Sequence, residues 1–178
     1  MAFDIMLDLE TLGTRPGCVI LTLGAVKFDP YTLSDPGPGI YFRVDVDEQT
    51  ALGREVQEDT MQWWLEQVED VREEALGEHD RVSLDTMYRD LNRFLVGVDN
   101  IWAQGPLFDF AILEHLYRQM GWPTPWHYWQ IRDSRTLFGV HGDPRVKGKT
   151  GLHNALEDCV SQATAVQQVY NKLGIEKR

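Results

Sequence analysis

Cysteine is scarce in this chain of 178 residues: there are two, Cys18 and Cys159, far apart and without a C-x-x-C pair or a neighbouring histidine cluster. That excludes a disulfide framework and a structural zinc site, and a reducing compartment fits best. Basic charge is scarce as well, with 17 Lys and Arg against 28 Asp and Glu and a formal net charge of −11. No run approaches the roughly 18 apolar residues of a membrane span. The opening MAFDIMLDLE lacks a basic n-region, so neither a membrane partner nor a processed leader is expected.

A shortage of positive charge argues against a nucleic-acid partner only if the acids are spread evenly. They are not. Residues 45 to 80 carry thirteen Asp and Glu against two Arg, a local balance of −11, so the other 142 residues sum to zero. Four carboxylates holding two divalent cations would bring that neutral remainder to about +4 by the charge of the ions. Apolar residues make up 43% of the chain, enough for one compact domain across residues 1–178.

The runs FDIMLDLE, CVILTLGAVKFD and GIYFRVDV are separated by Gly- and Pro-containing turn signals and read as three consecutive antiparallel strands. From Asp59 the pattern turns helical, and behind Ser83 as N-cap the residues Leu84, Met87, Leu91 and Leu95 keep helical spacing. A short strand NIWAQ follows, then a helix opened by Gly105-Pro106 and a Trp/Pro-rich connection. Residues 139–151 read as a loop, and Asn154 with Glu157 begins the last helix. The order β-β-β-α-α-β-α-(β/α)-α predicts an α/β fold with a mixed five-stranded sheet, a meander extended by parallel strands through helical crossovers.

Strand residues two apart share a face, so Asp8 and Glu10 present their carboxylates together at the end of the first strand. Held side by side they repel, a penalty that a hard divalent cation removes, and oxygen-only ligands select Mg²⁺ or Mn²⁺ over zinc. Alone, D-x-E is equally the solvated face of an acidic strand. Asp109 enters a helix in its first turn, where any acid gains from the macrodipole. His153 precedes the last helix and Asp158 lies about one turn inside it; a lone histidine there is more often a surface or capping residue than a base.

It is the combination D-x-E, F-D and H-x-A-x-x-D that carries chemistry. With LDLETLGTRPG, DTMQWWLEQ, WAQGPLFD, RDSRTL and HNALEDCVSQA, the chain resembles the DEDDh branch of the DnaQ-like, RNase T-like exonucleases. It is most similar to the subgroup of the phage DexA exonuclease and bacterial 3′→5′ exoribonucleases. The resemblance implies an RNase H-like fold, a bacterial or phage-infected host cytoplasm, and a single-stranded 3′ end as partner; it leaves a homodimer open. It assigns Asp8, Glu10, Asp109 and Asp158 to two divalent cations and His153 to the attacking water. Two such cations about 3.5–4 Å apart suit in-line phosphodiester hydrolysis, and neutral histidine suits proton abstraction at physiological pH. Gln104 departs from the Asn that the family pattern W-x-N-G-x-x-F-D would place there.

The resemblance also implies that Leu9, Thr11 and Leu12 line the terminal-nucleotide pocket, with Gln104, Phe108 and Arg135 beside them, although strand-end packing explains Leu12 as well. Trp63 and Trp64 point about 100° apart on a helix; one belongs to the core, and Trp64 is the nucleotide-binding candidate. Trp122, Trp126, Tyr128 and Trp129 form either a platform for single strands or a Pro-stiffened lid over the core. Arg145, Lys147 and Lys149 could meet phosphates. The competing readings are an oligonucleotide-trimming ribonuclease and a catalytically silent nucleic-acid-binding module, whose expected signature is the loss of one of these five residues.

Overall fold

The structure is a computed structural model and describes residues 3–145 and 153–177. Strands β1 (Phe3–Thr11), β2 (Ile20–Phe28) and β3 (Gly39–Val44) form the antiparallel meander, and β5 (Val98–Ala103) and β6 (Ile131–Asp133) extend it in parallel from β1. A two-residue strand β4 (Arg81–Val82) runs parallel to β3, giving the sheet order β4-β3-β2-β1-β5-β6. The pattern predicts five strands and the sheet has six. The missed one is β4, too short for any alternation to show.

Because β1 is central and covered on both faces, it reads as a nearly continuous buried run. Ile5, Leu7 and Leu9 pack against Met87 and Leu91 of α4 (Leu84–Phe94) and Phe110, Leu113 and Tyr117 of α5 (Pro106–Met120). Met6, with Val26, Phe28 and Trp102, packs on the other face against Phe138 of α6 (Ser134–His141) and Cys159, Ala163 and Val166 of α7 (Ala155–Leu173). Each Val, Leu, Ile, Phe or Met among them contributes roughly 1.5–3 kcal/mol on burial. A third cluster, Leu12, Val19, Leu21, Trp64, Val71 and Ala75, lies under α2 (Glu58–Leu65) and α3 (Glu69–Leu76). A short helix α1 (Val46–Ala51) precedes them, capped by the Asp45 carboxylate.

The helix starts follow local chemistry. Ser83 Oγ accepts from the Thr86 N–H, and Asn154 Oδ1 accepts from both Leu156 and Glu157 N–H groups at 3.1 Å. Pro106 opens α5 behind Gly105, whose φ of +107° is a glycine conformation. The predicted loop over 139–151 begins later than its glycines suggest. The Asp133 carboxylate caps α6, Phe138 anchors it, and the helix carries Gly139 before ending at Gly142. Residues 146–152, including Lys147 and Lys149, lie outside the described residues.

Candidate active site

Strand alternation decides which acids meet. Asp8 and Glu10 share the parity of Met6, so they emerge on the α7 side at the C-terminal end of β1. Across the ladder Asp8 is paired with Gly24 of β2. A Cβ built on Gly24 would lie 2.4 Å from the Ala155 carbonyl carbon and the Leu156 nitrogen. Glycine therefore lets the first turn of α7 rest directly on the sheet, and Asp158, less than a turn further on, comes down over the β1 acids. Asp8, Glu10 and Asp158 offer carboxylate oxygens within 4.8 Å of one another.

Asp109 comes from the first turn of α5. Its Oδ1 accepts the Leu9 N–H at 3.1 Å, tying α5 to β1 between the two neighbouring acids. On the α7 side, Gln162 Nε2 donates to Asp8 Oδ1 at 3.1 Å. The four carboxylates, His153, Gln162, Leu9, Gln104, Phe108 and Arg135 line one open cavity of about 390 Å³. Gln162 belongs to the HNALEDCVSQA motif but has no role assigned from the sequence, although it lies four residues after Asp158 and so on the same helical face.

Burial and crowding act together on these acids. Glu10 is pushed up to about 9, first by desolvation and then by Asp8, Asp158 and Asp109. Desolvation pushes Asp109 up to about 7 against the Leu9 hydrogen bond. Asp8 is raised well above the usual carboxylate range by burial and Asp109, and Asp158 is raised by burial although His153 and Arg145 oppose this. Such a cluster either takes up protons or neutralises itself with a cation. An all-oxygen, crowded, partly enclosed donor set fits a hard divalent cation.

His153 has φ of +44°, a left-handed conformation costly for a non-glycine residue and found preferentially at functional sites. Its ring sits edge-on to Trp63 at 4.8 Å. Arg135 Nη2 donates to the Gln104 carbonyl at 2.9 Å, and the Gln104 Oε1 is buried without a hydrogen-bond partner among the described residues. Arg145 forms a paired ion bridge with Asp143 and lies over the Phe138 ring.

Three expected nucleotide contacts are placed elsewhere. Trp64 is 1% exposed, its indole N–H donating to the Thr11 carbonyl at 2.9 Å, so it has no free face for a base. The exposed member of the pair is Trp63. The Thr11 hydroxyl donates to the Gly13 carbonyl at 2.6 Å, closing the turn. Leu12 is buried in the cluster under α2 and α3, because the register shift between Glu10 and Thr11 turns the chain away from the acids.

The profile of the 3′-5′ exoribonuclease Rv2179c-like domain matches residues 3–170. The chain belongs to that family. A relative, an exodeoxyribonuclease of Enterobacteria phage T4, is 26% identical over 160 residues that cover 75% of this chain and 70% of the phage protein. Family members are 3′-5′ exonucleases, hydrolases of phosphodiester bonds. Solved structures share the RNase H-like fold. The product-bound structure of exonuclease I matches with a TM-score of 0.65 at 14% identity, over 97% of this chain and 44% of the other. Exonuclease X in complex with 5′ overhanging duplex DNA matches with a TM-score of 0.52 at 18% identity, over 97% and 94%. The family chain thus spans less than half of exonuclease I. Among the described residues no helix is long and apolar enough to cross a membrane.

Proposed function

We propose that this chain shortens single-stranded nucleic acid from a free 3′-hydroxyl end, releasing nucleoside 5′-monophosphates, with Mg²⁺ or Mn²⁺ held by Asp8, Glu10, Asp109 and Asp158. The observation that carries this reading is the meeting of three carboxylates from β1 and α7 within 4.8 Å, with Asp109 and His153 on the same cavity. Cations held by these four carboxylates would supply charge neutralisation at the attacked phosphate and at the leaving oxygen. The protein's own part is positional. Gln162 holds Asp8 and the Leu9 N–H holds Asp109, each through a hydrogen bond to one carboxylate oxygen.

His153 takes the proton of the attacking water as its oxygen bonds to phosphorus; the phosphorus–O3′ bond breaks, the released 3′-oxygen takes a proton from solvent water, and the shortened strand leaves with a 3′-hydroxyl. Phe108 gives the terminal nucleotide an apolar wall, while Arg135 fixes the Gln104 carbonyl. Single strands as substrate are supported by the structure of E. coli exonuclease I in complex with a dT13 oligonucleotide. Persistence of all five site residues weighs against a silent binding module.

The test is degradation of matched 5′-labelled RNA and DNA single strands with and without chelator. A ladder shortening from the 3′ end only with metal is expected. Cutting of a closed circle, or activity untouched by chelator, would refute the proposal. The RNA-to-DNA ratio of rates assigns the sugar preference.

A further inference from the structure

The Trp/Pro-rich connection after α5 builds a second cavity that the reaction does not use. It measures about 470 Å³ and is lined by Glu114, Tyr117, Arg118, Trp122, Trp126 and Tyr128 among others. Trp126 is buried against Phe110 and Tyr117, and Trp122 stacks on Tyr88 at 4.3 Å with 20° between the rings, so these walls are rigid. Beside them Tyr128 and Trp129 are 83% and 57% exposed, and Trp129 stacks flat on His127 at 4.2 Å. Core packing explains Trp126 but leaves the outward rings unexplained.

The polar groups around those rings are incompletely used. Glu114 Oε1 accepts the Trp126 indole N–H at 3.0 Å, while its other oxygen has no hydrogen bond among the described residues. The Tyr117 hydroxyl is buried without a partner there. Arg118 is exposed at the rim and enters no ion pair among the described residues. Flat aromatic faces, a free carboxylate oxygen and a free guanidinium match three parts of one ligand: a planar heterocycle, its N–H edge and a phosphate. We propose that this cavity is a second nucleotide-binding site, with the base stacked on the aromatic wall, its N–H edge on Glu114 and its phosphate on Arg118.

Two sources share that chemistry: a free nucleoside 5′-monophosphate, or a nucleotide upstream in a bound strand. Glu114 and Arg118 lie five and nine residues beyond Asp109 on α5, roughly 8 and 14 Å along the axis but about 140° and 180° around it. A stacked strand advancing about 3.4 Å per nucleotide needs about four nucleotides for the axial part alone and more to pass round the helix, within the length of a roughly ten-nucleotide strand and beyond that of a dinucleotide. The strand source rests on the exonuclease reading above; the free-nucleotide source does not.

Binding measured in excess chelator tests both without turnover: titration calorimetry with AMP, and anisotropy of labelled single strands of two and of roughly ten nucleotides. The parent is compared with Arg118→Gln and Tyr128→Ala, both exposed, whose melting temperatures should stay parental. If the site takes free nucleotide, AMP binds the parent and each variant weakens it about tenfold. If it takes the strand, each variant weakens the longer strand about tenfold and leaves the dinucleotide unchanged. Parental binding of all three ligands by both variants overturns the proposal. Because no hydrolysis is required, these outcomes remain readable even if the exonuclease reading fails.

Discussion

Replacing Gly24 with alanine should damage catalysis without touching a single acid. The added Cβ would lie 2.4 to 2.5 Å from backbone atoms of Ala155 and Leu156. Backbone cannot rotate out of the way as a side chain can, so restoring a contact of about 3.4 Å requires α7 to lift by roughly 1 Å. Asp158 and Gln162 ride on that helix, while Asp8 and Glu10 stay on β1. A misplacement of about 1 Å can cost about 10²-fold in rate, and overpacking of this kind costs about 1–3 kcal/mol. At this chain length each kcal/mol moves the melting temperature by about 2–4 °C, a fall of roughly 2–12 °C in all. The assay is kcat on a 5′-labelled strand, well below the melting transition of the variant, with Mn²⁺ affinity measured in parallel. Gly139→Ala is the control, since nothing lies within 4 Å of its added Cβ and a helical Gly→Ala gains about 1 kcal/mol. A Gly24→Ala variant with parental kcat and metal affinity would refute the argument that close packing of α7 on β2 sets the site.

Other outcomes follow from the same geometry. In chelator, Glu10 sits at about 9 and Asp109 at about 7, above their unfolded values, so the folded chain holds protons that the unfolded chain has released. Their stabilisation is complete near pH 4 and is lost as pH rises through 7 and 9; melting temperature in chelator should fall across that window and saturating Mg²⁺ should restore it, whereas a rise with pH in chelator would contradict the shifts. His153→Ala should lose about 10²–10⁴-fold in kcat while keeping Mn²⁺ affinity, and equal loss of metal binding in a calorimetric titration would remove it from the role of base. Gln162→Ala should weaken Mn²⁺ binding and lower kcat with little change in KM, because it frees Asp8 rather than contacting substrate; parental kcat and affinity would show that the 3.1 Å bond is incidental.

The site was legible in the sequence where its geometry is local. Asp8 and Glu10 share a face by strand period, and His153, Asn154 and Asp158 follow helix-start spacing, so their grouping needs little tertiary knowledge. Gln162 was legible by the same spacing from Asp158, but an uncharged side chain gives no chemical signal until its partner is seen. Trp63 and Trp64 show the opposite case. Their angular separation says that one turns inward, and only the docking of α2 over Val19 and Leu21 selects Trp64. Thr11 and Leu12 follow a register shift that alternation cannot anticipate. The meander and the parallel extension were readable from turn signals and crossover lengths, whereas β4 depends on pairing with β3 and has no pattern of its own.

The most direct measurement of the central claim compares the parent with Asp8→Asn on a 5′-labelled single strand in Mg²⁺, with and without excess chelator. Asp8 is the acid shared by the Gln162 hydrogen bond and the three-carboxylate group, and the amide keeps its shape while removing its charge. The account predicts a metal-dependent ladder from the 3′ end for the parent and almost none for Asp8→Asn. Shortening by Asp8→Asn at the parental rate would contradict it.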